Sequence, residues 1–86
     1  MKKYAMESVG TGLFVFSILG IIASGSSFAP IAIGVALMAV IYIGANVSGA
    51  HYNPAVTLAL MLQKSISPIE TAKYVTAQIF GALIAQ

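Results

Sequence analysis

Few groups in this chain can do chemistry. The sequence holds one histidine, His51, two glutamates, Glu7 and Glu70, four lysines, and no cysteine, aspartate or arginine. Without cysteine there is no disulfide framework, thiolate zinc site or cysteine nucleophile. Without aspartate a Ser-His-Asp triad cannot be built. A lone His51, with no second histidine or neighbouring acid in the sequence, makes a poor metal site or proton relay. Bracing the loop that contains it is the better reading. No constellation supports acid–base or nucleophilic catalysis, so the expectation is a protein that is not an enzyme and carries no metal or cofactor. A net charge of +2 is too small for a nucleic-acid footprint.

The pattern with most physical content is Asn53-Pro54. Asparagine is a favoured helix N-cap, because its side-chain oxygen accepts an orphan backbone N–H. Proline is favoured at the first helical position, where its missing N–H costs nothing. The pair predicts a short helix over Pro54–Leu62. With its oxygen used in the cap, the Asn53 amide keeps a free NH₂ donor. It stands at a helix end carrying roughly +0.5 elementary charge. Upstream, the carbonyls of Gly49, Ala50 and His51 can form a ladder of acceptors. A fixed donor at a positive pole beside such a ladder suits a small neutral hydrogen-bonding solute and repels cations. In an arbitrary protein Asn-Pro is most often a plain turn, so its setting decides.

The setting is a membrane. Hydrophobic residues make up 59% of the chain and charged residues 7%, against about 25% charged in soluble domains. That excludes a soluble surface, and it also excludes a disordered chain, which needs low hydrophobicity. Residues 8–63 carry no formal charge. About 20 residues cross the hydrocarbon core, so this stretch must fold back. Ser24-Gly25-Ser26-Ser27 ahead of Pro30, and Asn46 to Pro54, are the breaks. The predicted fold is an all-α membrane protein of one unit, residues 1–86. It has three spans, at about 4–23, 30–48 and 68–86, and one re-entrant half-helix at about 54–62. The half-helix is roughly 13–14 Å long, half a bilayer. Non-helical backbone at that depth must be buried in protein or line a watery cavity.

The lysines suggest an orientation. If the first two spans form a hairpin, Lys2, Lys3, Lys64 and Lys73 all lie on one side, and the Ser24–Ala29 loop carries no charge. By the positive-inside rule that side is cytoplasmic. This predicts a multi-pass protein of the cell membrane, plasma or inner, with a cytoplasmic N-terminus. A cleaved signal peptide also begins with basic residues and an apolar run, but Glu7 sits in the region that should be positive and the run is span-length.

At this point the sequence resembles a known family. Ser48-Gly49-Ala50-His51-Tyr52-Asn53-Pro54-Ala55-Val56-Thr57 is similar to the first Asn-Pro-Ala signature of aquaporins and aquaglyceroporins, the major intrinsic proteins. Glu7-Ser8-Val9-Gly10-Thr11 is similar to the family's first-helix Glu-x-x-Gly-Thr pattern. Ala77-Gln78-Ile79-Phe80-Gly81-Ala82 is similar to the third-helix Ala-Gln-x-x-Gly-Ala pattern. Family members have six spans and two half-helices in an inverted repeat. This chain resembles the first half, with one Asn-Pro-Ala.

The resemblance implies a passive channel for water or small neutral solutes such as glycerol. By it, Asn53 is the pore donor, and Pro54 and Ala55 stack on a partner half-helix. Gly49, Ala50, His51 and Tyr52 match the loop whose carbonyls line the pore, and Glu7 matches a buried carboxylate bracing that loop. Read from position alone, Glu7 has a lesser alternative as an interfacial carboxylate beside Lys2 and Lys3. Gln78, mid-membrane, reads as polar glue between helices. One of the family's four constriction positions falls near Ile33, by spacing from Asn53. The family's constriction arginine follows the second motif, and this chain has no arginine, so water and glycerol are not distinguished. Ser8-xxx-Gly12, Gly44-xxx-Ser48 and Ala77-xxx-Gly81-xxx-Ala85 are small-residue stripes suited to close helix crossings.

The implied partners are the lipid bilayer, the solute, and a missing second half or another copy of the chain, with a homo-oligomer implied by the family. Two antiparallel copies would rebuild the inverted repeat, but the one-sided lysines oppose mixed orientations. The competing reading is a small non-transporting membrane protein or an inactive channel fragment.

Overall fold

Prolines and capping side chains set the helix boundaries. The computed structural model describes residues 1–86 as four helices without strands: α1 (Lys2–Ala23), α2 (Ala29–Ser48), α3 (Pro54–Leu62) and α4 (Pro68–Ala85). Pro30, Pro54 and Pro68 all stand in the first turn of a helix, where a missing N–H is harmless. Asn53 caps α3, its Oδ1 accepting from Ala55 N at 2.8 Å. Ser67 caps α4, its Oγ accepting from Glu70 N at 3.1 Å. Gly25 (φ 70°) and Gly49 (φ 86°) follow the ends of α1 and α2 in the left-handed region, which glycine enters without penalty.

α1 begins two residues before the expected Tyr4, α2 one residue before Pro30, and α4 ends one residue before Gln86. Helix ends commonly shift by that much. α1 and α2 are long and apolar enough to cross a membrane. The 18-residue α4 carries Glu70, Lys73 and Gln78 and is the more polar of the long helices.

α1 is the central element. It packs against α2 on one side and α4 on the other, and α3 packs on α4. The α1–α4 crossing is a backbone contact. A Cβ built on Gly81 would lie 2.0 Å from the Ser8 carbonyl oxygen, and one on Gly12 would lie 3.0 Å from the Gly81 oxygen. The stripes of α1 and α4 therefore meet as small-residue packing predicts. The Gly44-xxx-Ser48 stripe does something else. Gly44 makes room for the Tyr52 ring and faces Met6 of α1, and Ser48 hydrogen-bonds Glu7 of α1, so this stripe meets α1 through side chains rather than backbone to backbone.

The distribution of polarity is inverted relative to a soluble domain. Twelve residues are buried; three are glycines, six are Glu7, Thr11, Ser48, Thr57, Thr71 and Gln78, and only Val40, Tyr52 and Tyr74 are counted as apolar. Large apolar side chains such as Phe16, Ile31, Phe80 and Ile84 are exposed. Water would penalise that surface and a hydrocarbon solvent would not. The polar interior surrounds the link between α2 and α3.

Candidate functional site

The link at residues 49–53 is strained and heavily supported. Ala50 (φ 54°) and Tyr52 (φ 55°) are non-glycine residues in the left-handed region. Each such residue costs on the order of 1–3 kcal/mol and persists only where its surroundings impose it. The surroundings here are one side chain, Glu7, which is fully buried. Its Oε2 accepts from Ser48 Oγ at 2.7 Å and His51 N at 3.1 Å. Its Oε1 accepts from Tyr52 N at 2.8 Å and Gln78 Nε2 at 2.8 Å. No lysine pairs with it, since Lys3 pairs with Glu70. Four donors therefore offset the burial of this carboxyl, which would otherwise be very costly.

A second tier of contacts locks the first. Gln78 Nε2 also donates to Thr57 Oγ1 at 2.9 Å, tying α4 to α3. Thr57 Oγ1 pairs with His51 Nδ1 at 3.0 Å. The His51 ring lies against Tyr74, with centroids 4.6 Å apart, and the Tyr74 hydroxyl donates to Ser48 O at 2.7 Å. Tyr52 points the other way, into the α1–α2 seam. Its ring fills a notch that Cβ atoms on Gly10 or Gly44 would close, at 2.1 and 1.8 Å. Its hydroxyl donates to Val40 O at 2.8 Å.

These contacts leave one side of the link unclaimed. The carbonyls of Gly49, Ala50, His51 and Tyr52 accept no hydrogen bond within the chain. The Asn53 side chain uses Oδ1 as the cap, and its Nδ2 donates to no group in the chain. Asn53, Pro54 and Ala55 are exposed, and of α3 only Thr57 is buried. Beside them lies a groove of about 280 Å³, lined among others by Phe14, Ile18, Asn53 and Pro54. Thr11 and Gln78 also line it, and their Oγ1 and Oε1 atoms are buried without a hydrogen-bond partner. Chemically the arrangement is a run of fixed acceptors ending on a fixed donor at a helix N-terminus.

Of the residues singled out from the sequence, Glu7, His51, Tyr52 and Gln78 come together in one network. The interfacial reading of Glu7 is corrected: the side chain is fully buried, because the link supplies it with donors. Gln78 of α4 joins Glu7 of α1 to Thr57 of α3. Ile33 is half-buried near the start of α2 and is not among the residues lining the groove beside Asn53. Ser48, Thr57 and Tyr74 were missed. Thr57 had a signal, since it is the one polar residue in the nine of α3. At four positions past Asn53 it lies on the capping residue's own face.

At the N-terminal end of the α1–α4 seam, about one turn before Glu7, Glu70 binds Lys3 and the Tyr4 hydroxyl. Tyr4 meets Tyr74 edge-on, with centroids 5.8 Å apart, so this surface cluster abuts the buried network.

The model of the family described as "Major intrinsic protein" matches residues 1–86. The chain is similar to "Glycerol uptake facilitator protein-like 6" of Lactiplantibacillus plantarum, 39% identical over 90 residues, covering 99% of this chain and 41% of that protein. It is 40% identical over 87 residues to "Glycerol uptake facilitator protein" of Pseudomonas aeruginosa, covering 92% of this chain and 31% of that one. It is 29% identical over 94 residues to "Aquaporin Z" of Photorhabdus laumondii, covering 99% and 41%. The chain thus spans about two fifths or less of the length of these relatives. No solved structure matches it significantly.

Proposed function

The chain belongs to the major intrinsic protein family, and from this we propose that it is one half of a passive transmembrane channel for water or small neutral solutes such as glycerol. Names of the relatives, glycerol uptake facilitator and Aquaporin Z, support that solute class. The observation that carries the reading is the unclaimed edge of the link: four successive carbonyls, Gly49 to Tyr52, leading to the free Asn53 amide. A solute that both donates and accepts hydrogen bonds can replace its hydration along that edge. An ammonium or alkali cation meets the positive end of α3 and the Asn53 donor, and is opposed. Transport is downhill and needs no catalytic group or cofactor.

The pore is completed by a second unit with its own half-helix, set against the exposed Asn53-Pro54-Ala55 end of α3. Two features support this: the groove beside Asn53, and the exposure of Asn53, Pro54 and Ala55 at the head of α3. By the family resemblance, Ile33 contributes to a constriction of the pore. The N-terminus faces the cytoplasm of the cell membrane, on the lysine argument. Channels assemble as homo-oligomers.

Stopped-flow shrinkage of proteoliposomes tests the reading. One set holds the 86-residue chain alone and another holds it with a second-half partner from a relative. Fast shrinkage that Asn53→Leu abolishes supports the channel. Shrinkage no faster than empty liposomes in both sets, with the chain inserted, supports a non-transporting membrane protein.

A further inference from the structure

We propose that the outer groove between α1 and α4 is a seat for one anionic phospholipid, with the headgroup at Lys73 and an acyl chain lying over the Gly12–Gly81 crossing. The inference rests on the chain sitting in a bilayer and does not depend on its conducting.

The groove follows from the small residues that bring the two helices together. At the charged end is a hollow of about 790 Å³, with Tyr4 and Lys73 at its mouth and Phe80 at its inner end. A second hollow of about 360 Å³ shares Ser8, Val9 and Phe80 with the first and runs on to Phe16 and Ile84. Together they form a continuous apolar furrow. No other element of the chain covers it, since α2 packs on the opposite side of α1 and α3 packs on α4 alone. From Tyr4 to Phe16 the furrow follows α1 for roughly 18 Å at 1.5 Å per residue. One leaflet of hydrocarbon is about 15 Å deep. The furrow therefore matches a single acyl chain rather than a whole span.

Charge selects the headgroup. Lys73 is exposed and its amine stands 5.7 Å from the centre of the Tyr4 ring. The nearby carboxylate, Glu70, is held in contact by Lys3 and the Tyr4 hydroxyl, and it feels the Lys73 charge without direct contact. Lys2 is exposed on the same end of α1. Lys73 is the one lysine that lines the hollow, and with Lys2, Lys3 and Glu70 nearby this end of the helix pair is net positive. A lysine at the interface attracts an anionic headgroup, and its stem can lie along the apolar wall.

The test is native mass spectrometry of the whole chain released from detergent micelles, after titration with phosphatidylglycerol or phosphatidylcholine of identical acyl chains. The expected result is one retained phosphatidylglycerol, with phosphatidylcholine held markedly more weakly. Lys73→Gln should weaken phosphatidylglycerol about fivefold. Lys64→Gln removes the same charge away from the furrow and should change little. Ala77→Phe fills the first hollow with Lys73 intact and should lower retention of both lipids. It also serves as the independent variant if Lys73→Gln loses helicity by circular dichroism. Equal retention of the two lipids by the native chain overturns the proposal. So does an equal loss in Lys64→Gln and Lys73→Gln, or a dimer that forms at the expense of bound lipid, which would mean a second copy covers the furrow.

Discussion

The Tyr52 hydroxyl donates to the Val40 carbonyl at 2.8 Å, reaching it between Gly10 and Gly44. The link's conformation is thus pinned by a wedge in the α1–α2 seam as well as by Glu7. Tyr52→Phe keeps the wedge and loses one hydrogen bond, so it should cost about 1 kcal/mol. Gly44→Ala sets a Cβ 1.8 Å from that hydroxyl and displaces the ring, so it should cost more, about 1–3 kcal/mol. Urea denaturation in micelles, followed by circular dichroism, ranks the two.

Glu7→Gln preserves shape but replaces one acceptor oxygen with an NH₂ that faces donors. Either the His51 or the Tyr52 N–H then loses its acceptor, at about 1–3 kcal/mol. Hydrogen exchange should show at least one of these two amides opening about tenfold faster or more, with the amides of α2 unaffected. Unchanged protection at both would mean that Glu7 does not hold the link.

The Ser8–Gly81 contact leaves no space for a methyl group. Gly81→Ala must push backbone from backbone and should separate α1 from α4, lowering stability by about 1–3 kcal/mol or more. Gly20→Ala is the matched control. Its Cβ meets nothing within 4 Å, so alanine's better helix propensity should leave stability unchanged or raise it by up to about 1 kcal/mol. The difference is read in the same denaturation experiment.

Asn53 has two separable roles. Asn53→Ala removes the α3 cap and should cost about 1 kcal/mol, seen as faster exchange at Ala55. Asn53→Asp keeps an oxygen for the cap but replaces the free donor with negative charge. It should preserve α3 and, in proteoliposomes with a completed pore, lower water flux while raising cation leak. Retained flux with either substitution would remove Asn53 from the conduction path.

The Lys3–Glu70 pair is part-exposed, with side chains 40% and 22% accessible, and solvent screening leaves exposed pairs little net effect on stability. Glu70→Gln should therefore shift stability only slightly, and the shift should shrink in high salt. A larger effect would mean that the contact of Tyr4 with Tyr74 transmits the loss to the buried network.

What was legible in the sequence was local or carried by composition. Asn53-Pro54 announces the start of α3 through capping chemistry, and the uncharged run from residue 8 to 63 announces the membrane. The burial of Glu7 was only half legible, because its four donors come from residues 41 to 71 positions away. The left-handed Ala50 and Tyr52 left no trace, since neither residue type favours that region and tertiary contacts impose it. The Tyr52 wedge needs two glycines 34 residues apart to face one ring, which no window of sequence displays. The placement of Ile33 by spacing alone depended on a partner surface that lies outside the four helices.

Part of what holds the link is written before it and part after. Residues 49–53 emerge from the ribosome after Glu7 and Val40 but well ahead of Tyr74 and Gln78. Until α4 arrives, the Ser48 carbonyl lacks its partner and Glu7 lacks one of its four donors, so Ala50 and Tyr52 are less firmly held in their costly conformations. The half-helix should therefore form against the first hairpin but settle fully only when the third long helix has been inserted.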